Sequence, residues 1–185
     1  LPAAAPPFQL GTRGDTVRKA LSRVRLPRRM ELVSSSGGRT IFLDYAHNAM
    51  SLSCALSTLR GFARGRLIVL FGCGGNRSRQ RRREMGETAG RMADETFITS
   101  DNPREERPED IIADIVEGMR RTEGTYTVIP DRREAIRCAL ERSGSGDVVL
   151  VAGKGHETYQ EIQGVRYPMD DRETILDALR GEKDG

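Results

Sequence analysis

The stretch Thr96-Phe97-Ile98-Thr99-Ser100-Asp101-Asn102-Pro103-Arg104 joins a β-branched and aromatic segment directly to a polar loop. Residues 96–99 predict a buried strand, because such side chains favour strands. Pro103 ends the strand, since proline cannot donate to a sheet and disfavours helical geometry at the preceding residue. A carboxylate, an amide and a guanidinium then lie at the carboxyl end of a strand, where open α/β sheets bind ligands. An acid and an arginine placed in this way could hold the ammonium and carboxylate of an amino acid, and an ordinary polar loop is the alternative.

Strands and helices alternate along most of the chain. Apolar or β-branched runs that predict strands occupy residues 40–43, 67–71, 96–99, 126–129 and 148–152. Helical spacing or helix-start signals predict helices after Asn48, over Gln80–Met92 and after Pro108. The pairs Asp131 with Glu134 and Asp170 with Glu173 predict the starts of two further helices. Apolar strands separated by helices predict an α/β fold whose mostly parallel sheet is covered by helices on both faces.

The composition is typical of a globular domain and argues against several function classes. The chain has 185 residues, a formal net charge of +3 and 37% hydrophobic residues. Its apolar runs, such as residues 67–71, are far too short to span a bilayer, so no membrane is expected as a partner. The basic run Arg77–Arg83 has no interleaved aromatic residues for base stacking, so no nucleic acid is expected either.

The cysteines and the N-terminal segment carry two further expectations. Cys54, Cys73 and Cys138 share no metal-ligand spacing, which predicts no metal site and a reducing, cytoplasmic location. Residues 1–26 begin Pro-rich, lack an initiator Met and a basic signal-peptide region, and end in a short helical pattern. We expect them to be the end of a preceding domain and a linker.

Polar clusters follow three of the other strands. Asp44-Tyr45-Ala46-His47-Asn48 would suit a nucleotide phosphate at a helix start, or would form only a solvated cap. Gly72-Cys73-Gly74-Gly75-Asn76-Arg77 begins like a dinucleotide fingerprint, but Arg77 replaces its third glycine, which argues against NAD and for a ligand carboxylate. Gly153-Lys154-Gly155-His156-Glu157 is not a Walker A loop, because Gly155 follows the lysine, and Glu157 could hold an ammonium group.

These loops and the stretch Arg28-Arg29-Met30-Glu31, taken in order, resemble the C-terminal domain of the Mur ligases, and most closely of members that add meso-diaminopimelate in peptidoglycan synthesis. The likeness spans roughly residue 27 to the C-terminus. It implies a Rossmann-like domain at residues 27–185, preceded by an N-terminal UDP-sugar domain and a central P-loop domain whose end is residues 1–26. It also implies an ATP-dependent ligase that uses meso-diaminopimelate and UDP-MurNAc-dipeptide, with Mg²⁺ bound mainly by the central domain.

The resemblance also assigns site residues. Arg77 and Arg104 would recognise carboxylates of diaminopimelate, and Asp101 and Asn102 would support its polar end. Glu157 and the Gly153 carbonyl would hold the ammonium of the distal stereocentre. In family members that add lysine, the arginine at position 104 is replaced, because lysine has no second carboxylate. No residue is assigned a catalytic role. Because the resemblance covers only the C-terminal domain, the chain alone is expected to be inactive.

Four residues correspond to family positions that contact ATP when the domain closes: Arg29, Asp44, His47 and Asn48. The chain departs from the family pattern at Arg28, where a hinge glycine is usual, and at Ala49-Met50, where proline and aspartate are usual. These departures and the lack of a P-loop leave an alternative, a stand-alone amino-acid-binding or regulatory module derived from a Mur ligase.

Overall fold

The central sheet is built from the apolar and β-branched segments of the sequence. The computed structural model describes residues 30–181, so the expectations for residues 1–26, Arg28 and Arg29 lie outside the described residues. The strands are β1 (Glu31–Ser36), β2 (Arg39–Asp44), β3 (Leu67–Phe71), β4 (Glu95–Ile98), β5 (Tyr126–Val128), β6 (Val148–Ala152), β7 (Tyr159–Ile162) and β8 (Val165–Pro168). The helices are α1 (Ala49–Arg60), α2 (Arg79–Met92), α3 (Pro108–Met119), α4 (Arg132–Arg142) and α5 (Asp171–Gly181).

Six strands form the main sheet in the order β1-β2-β6-β3-β4-β5. Strands β2 to β6 pair in parallel, and only the edge strand β1 runs antiparallel to its neighbour. The predicted mostly parallel sheet is therefore confirmed, and β1 is an additional strand that the sequence analysis did not anticipate.

Helices cover both faces of this sheet, as predicted. Alternate strand side chains point to opposite faces, and so they divide the apolar core into two layers. One layer packs Phe42, Val69 and Leu150 against α1, α2 and α3. The other packs Ile41, Leu70 and Val149 against α4 and α5.

The predicted helix starts are also confirmed. The Asn48 Oδ1 accepts a hydrogen bond from the Ser51 amide at 2.8 Å and caps α1. Asp131 caps α4 in the same way through the Glu134 amide, and Pro108 lies in the first turn of α3. Asp170 accepts from the Glu173 amide at 3.1 Å ahead of α5.

Strand register brings the four polar loops that follow β2, β3, β4 and β6 to one edge of the sheet. Asp44 is paired with Ala152, and Phe71 with Ile98, so that β2, β6, β3 and β4 end at the same level. The four polar loops that follow these strands therefore lie side by side. Within residues 30–181, no helix has the length and apolarity needed to cross a bilayer.

Candidate functional site

A cavity of about 310 Å³ opens at the carboxyl edge of the sheet. Of the residues singled out in the sequence, it is lined by Arg77, Asp101, Asn102, Arg104, Gly153, Glu157 and His47. The six residues assigned to amino-acid recognition are therefore together around one cavity, although they come from three separate loops. Tyr45, Cys73, Arg81 and Arg82 also line it.

The acidic side of the cavity consists of Asp101, Asn102 and Glu157. The Asn102 Nδ2 donates to Glu157 Oε2 at 2.8 Å, and its Oδ1 accepts from the Glu161 amide at 2.9 Å. Asp101 is buried, and its Oδ1 has no hydrogen-bond partner among the described residues. Burial raises the pKa of Asp101 above its ordinary value, and the charges of Arg132 and Lys154 oppose that rise. A ligand cation here would meet two carboxylates, one of which lacks a donor.

Lys154 completes this side of the cavity from beneath. Its side chain is fully buried, and its Nζ donates to Asn102 Oδ1 at 3.3 Å and to the Tyr159 carbonyl. The same Nζ lies 3.6 Å from Asp101 Oδ1 and 3.7 Å from Glu157 Oε2. The sequence indicated a function for Gly153 and Glu157 of this turn and assigned none to Lys154.

The glycines on either side explain how the lysine reaches its site. Gly153 and Gly155 have φ values of +110° and +54°, which non-glycine residues rarely adopt. A Cβ on Gly153 would lie 3.1 Å from Asp101 Oδ2. The two glycines thus let the chain turn tightly enough to bring the lysine under the loop.

Arg104 is fixed by the hairpin of β7 and β8. Its φ is +54°, its amide donates to the Glu161 carbonyl at 3.0 Å, and its carbonyl accepts from the Gln163 amide at 2.6 Å. Its Nη1 donates to the Gly75 carbonyl at 2.6 Å, and its Nε lies 3.9 Å from Glu161 Oε2. The Nη2 makes no hydrogen bond within the described part of the chain, and the guanidinium lines the cavity.

Arg77 lies on the opposite loop and is exposed. No other residue in the range 30–181 forms an ion pair or hydrogen bond with its guanidinium. The loop that carries it is held by Arg82, which is 2% exposed and donates to Glu106 at 2.7 and 2.8 Å and to Asp114 at 3.0 Å. Glu106 in turn accepts from the Asn76 amide at 2.5 Å. An ion-pair network centred on the buried Arg82 therefore fixes the loop and leaves Arg77 available to an anion.

A second buried ion pair supports the cavity from the other face. Arg132 and Asp171 are both fully buried and join through two hydrogen bonds, of 2.8 and 2.7 Å. Arg132 also donates to the Ser100 and Ala152 carbonyls, at 3.3 and 3.0 Å. These carbonyls directly precede Asp101 and Gly153, so the pair sets where both loops leave the sheet.

Of the described residues that were expected to contact a nucleotide, some line the cavity and others do not. His47 is exposed at the cavity, where its Nδ1 lies 2.9 Å from the Tyr45 carbonyl. Asn48 uses its side chain as the cap of α1, and Asp44 is buried with its carbonyl bonded to the Gly153 amide at 3.1 Å. Asp44 and Asn48 do not line the cavity, and the expectation for Arg29 lies outside the described residues.

Tyr45 links His47 to the acidic side of the cavity. Its hydroxyl donates to Glu157 Oε1 at 3.3 Å, and burial together with the Glu157 charge raises the pKa of the hydroxyl. The sequence carried one signal for this contact, since Tyr45 lies in a polar loop beside His47.

A family profile described as "Mur ligase, glutamate ligase domain" matches residues 28–155. The chain belongs to the Mur ligase family. The resemblance predicted from the ordered loops is thereby confirmed, and so is the fold class that it implied.

Several curated Mur ligases align with nearly the whole chain. UDP-N-acetylmuramoyl-L-alanyl-D-glutamate–2,6-diaminopimelate ligase of Caldanaerobacter subterraneus subsp. tengcongensis is 45% identical over 170 residues, which are 92% of this chain and 35% of the relative. The enzyme of the same name from Alkalilimnicola ehrlichii is 44% identical over 100% of this chain and 37% of its own length. The chain thus spans about a third of the length of these relatives.

Solved structures agree with the sequence comparison. A structure of UDP-N-acetylmuramoyl-L-alanyl-D-glutamate–2,6-diaminopimelate ligase superposes with a TM-score of 0.81 at 40% identity, over 88% of this chain and 33% of that one. Folylpolyglutamate synthase of Mycobacterium tuberculosis, solved with ADP and AMPPCP, shares the fold with a TM-score of 0.54 at 21% identity, over 77% of this chain and 33% of that one.

Proposed function

We propose that this Mur ligase chain is the C-terminal, amino-acid-binding domain of an ATP-dependent ligase that adds meso-diaminopimelate to UDP-N-acetylmuramoyl-L-alanyl-D-glutamate. The longer protein is called the parent ligase below, and its N-terminal and central domains are the proposed partners of this domain. The observation that carries the proposal is the one cavity that Arg77 and Arg104 line together with Asp101 and Glu157. The names of the relatives supply the substrate class.

The charges around the cavity match the groups of the proposed amino acid. The distal end of meso-diaminopimelate carries one ammonium and one carboxylate, and its proximal end carries a second carboxylate beside the reacting amine. Asp101 and Glu157, with the Gly153 carbonyl, would take the distal ammonium, and the amide of Asn102 fixes Glu157 for that contact. Arg104 and Arg77 would each take a carboxylate, because a guanidinium offers paired donors to carboxylate oxygens.

The reaction proposed for the parent ligase forms an amide from an activated carboxylate. The amine of diaminopimelate attacks the acyl phosphate of the D-glutamyl γ-carboxyl group, a C–N bond forms, and the C–O bond to phosphate breaks. The amine loses its proton and phosphate leaves. The contribution of this domain is to hold the amine in position, which is a large part of catalysis for a bimolecular step.

ATP and Mg²⁺ are proposed to bind mainly to the central domain. Within residues 30–181, no three His, Cys, Asp or Glu side chains are grouped as metal ligands would be, so no step is assigned here to Mg²⁺. His47 is proposed to meet ATP on closure, since it is exposed beside the cavity. Asp44, Asn48 and Arg29 are proposed for the same role from the resemblance alone.

The test of the proposal is the substrate preference of the parent ligase. Ligation is measured with meso-diaminopimelate and with L-lysine, which lacks the second carboxylate. We expect meso-diaminopimelate to be strongly preferred, because lysine would leave a guanidinium unpaired. Equal or better use of lysine contradicts the proposal, and binding of meso-diaminopimelate without any ligation favours the stand-alone module.

An Arg104→Ala variant tests the residue that is proposed to set this preference. A lost hydrogen bond to a charged group costs about 1.5–3 kcal/mol, which corresponds to a KM for meso-diaminopimelate raised roughly 10- to 150-fold. The matched control is Arg107→Ala, three residues further along, because Arg107 is exposed and lies 3.8 Å from Glu109, away from the cavity. A KM that is equally unaffected in both variants removes Arg104 from the site.

A further inference from the structure

Lys154 is the only lysine among the described residues, it is fully buried, and it contacts the acidic side of the cavity at several points. Its Nζ is within 3.7 Å of Asp101 and Glu157, and it also bonds to Asn102. One buried ammonium therefore touches all three side chains that are proposed to surround the ligand ammonium.

Burying the Lys154 ammonium costs free energy, and a side chain that only filled space would not need to carry a charge. An ammonium group removed from water is tolerated only when it is paired and hydrogen-bonded. Two glycines with positive φ flank the lysine and turn it inward, and the Tyr159 carbonyl of β7 is a further acceptor. The Tyr159 ring also lies 5.6 Å from Nζ. The loop is thus built to hold a cation in this place.

The charges near Asp101 and Glu157 can be counted. Arg132 forms a bidentate pair with Asp171, and Lys154 is the one cation of the described residues that lies within 4 Å of the two carboxylates at the cavity. The two negative charges thus share one cation at ion-pair distance within the described residues. The second negative charge is the complement of one ligand ammonium.

We propose that Lys154 is the positioning residue of the ammonium subsite: it holds Asp101, Asn102 and Glu157 in place and keeps the subsite at one net negative charge. Lys154 acts through these residues and does not touch the ligand. This inference rests on the proposed function, because it assumes that the subsite takes the distal ammonium of an amino acid.

The proposal predicts a change in pH dependence when the lysine charge is removed. Burial already raises the pKa of Asp101, and Lys154 and Arg132 oppose that rise, whereas Glu157 and Asp171 add to it. The Tyr45 hydroxyl and the Cys73 thiol also lie near Asp101. Without Lys154, the pKa of Asp101 rises further, the carboxyl group is neutral over a wider pH range, and the ligand ammonium is held only at higher pH.

The experiment measures kcat and KM for meso-diaminopimelate in the parent ligase and in Lys154→Met between about pH 5.5 and 8. An opposite charge at this distance lowers a carboxyl pKa by about 1–3 units, so we expect the acid limb of kcat/KM to move up by about 1–3 pH units in the variant. At every pH, kcat/KM of the variant also falls below that of the unmodified ligase, because Asp101, Asn102 and Glu157 lose the group that holds them in place. Lys154→Gln is the second variant if Lys154→Met does not fold, because it removes the charge and keeps a donor.

Gln160→Leu is the matched control. The Gln160 Nε2 holds the same loop through neutral hydrogen bonds to Ser100 Oγ and the Asp101 carbonyl, at 2.9 and 2.6 Å. Its loss loosens the loop without changing its charge, so KM should rise by the same factor at every pH. An acid limb in Lys154→Met that does not move, or that moves equally in Gln160→Leu, overturns the proposal.

A measurement on the unmodified ligase tests the charge count independently. The proton uptake on binding is obtained by calorimetry in buffers of different ionisation enthalpy. We expect none for meso-diaminopimelate and up to about one proton for 2-aminopimelate, which lacks the distal ammonium. Equal proton uptake for the two ligands contradicts the charge count.

The failure of the proposed function and the failure of this inference are distinguishable. If the parent ligase does not use meso-diaminopimelate at all, the proposed function fails. Normal ligation with an unmoved acid limb refutes only the role of Lys154.

Discussion

Breaking the buried pair of Arg132 and Asp171 from one side should remove a large part of the stability of this domain. Arg132→Met removes the guanidinium and leaves the Asp171 carboxylate, the Ser100 carbonyl and the Ala152 carbonyl without their donor. Both side chains of the pair are fully buried, so water cannot replace the lost partner. Breaking such a pair from one side costs about 3–5 kcal/mol, out of about 5–15 kcal/mol for a whole domain.

Urea unfolding of the 185-residue chain, followed by circular dichroism, measures this cost. With a denaturant slope of about 2 kcal/mol/M, the midpoint of Arg132→Met should fall by roughly 1.5–2.5 M. Arg180→Met is the matched control, because Arg180 and Asp177 form a 2.9 Å pair in which both side chains are mostly exposed. Such surface pairs are worth about 0–1 kcal/mol.

The double variant Arg132→Met with Asp171→Leu separates the pair from its surroundings. Replacing both charges by apolar side chains of similar size should recover much of the loss, because no buried charge is then left unpaired. The reasoning is refuted if Arg132→Met costs no more than Arg180→Met, or if the losses of the two single variants simply add in the double variant.

Three further outcomes are expected. Gly153→Ala should lose about 1–3 kcal/mol in urea unfolding and weaken binding of meso-diaminopimelate, since the residue has φ +110° and its Cβ would lie 3.1 Å from Asp101 Oδ2; unchanged stability and affinity would contradict the close packing of this loop. Asp131→Ala should lose about 1 kcal/mol through the missing cap of α4, and a loss as small as that of an exposed mid-helix substitution, such as Arg137→Ala, would contradict the cap. Burial raises the pKa of Cys73 to about 12, so iodoacetamide near pH 8 should label the exposed Cys54 and leave Cys73 unmodified in the folded chain; equal labelling by mass spectrometry would contradict it.

The sequence predicted the parallel part of the sheet because its strands are apolar throughout. Residues 67–71 and 148–152 form strands with the predicted bounds, and both strands are buried on both faces. The helices followed from caps and spacing that are local in the sequence, such as Asn48 with Ser51. Elements whose signals are local and whose burial is complete could therefore be predicted.

The elements that were missed depend on contacts distant in sequence. Strand β1 ends in three serines and pairs only at the edge of the sheet, and so it shows no apolar run. The hairpin of β7 and β8 is partly to fully exposed, and its contacts with the Asn102 and Arg104 backbone and side chains help to hold it. Its one local signal is the turn at Gln163-Gly164, where both residues have positive φ.

The candidate site shows the same division between features with local sequence signals and features that depend on distant contacts. The parallel-sheet rule was enough to place Arg77, Asp101, Arg104 and Glu157 at one edge. The buried positions of Lys154 and Arg132 were not predictable, because their partners lie at other points of the chain and a lone lysine or arginine is usually exposed. The residues that line the cavity could thus be named from the sequence, and those that hold them in place could not.

The most direct test of the account is a crystal structure of the parent ligase with meso-diaminopimelate bound. The account predicts the distal ammonium within hydrogen-bond distance of Asp101 and Glu157, with carboxylates on Arg104 and Arg77. Diaminopimelate bound outside this cavity, or bound inside it with a carboxylate against Asp101 and Glu157, would contradict the account.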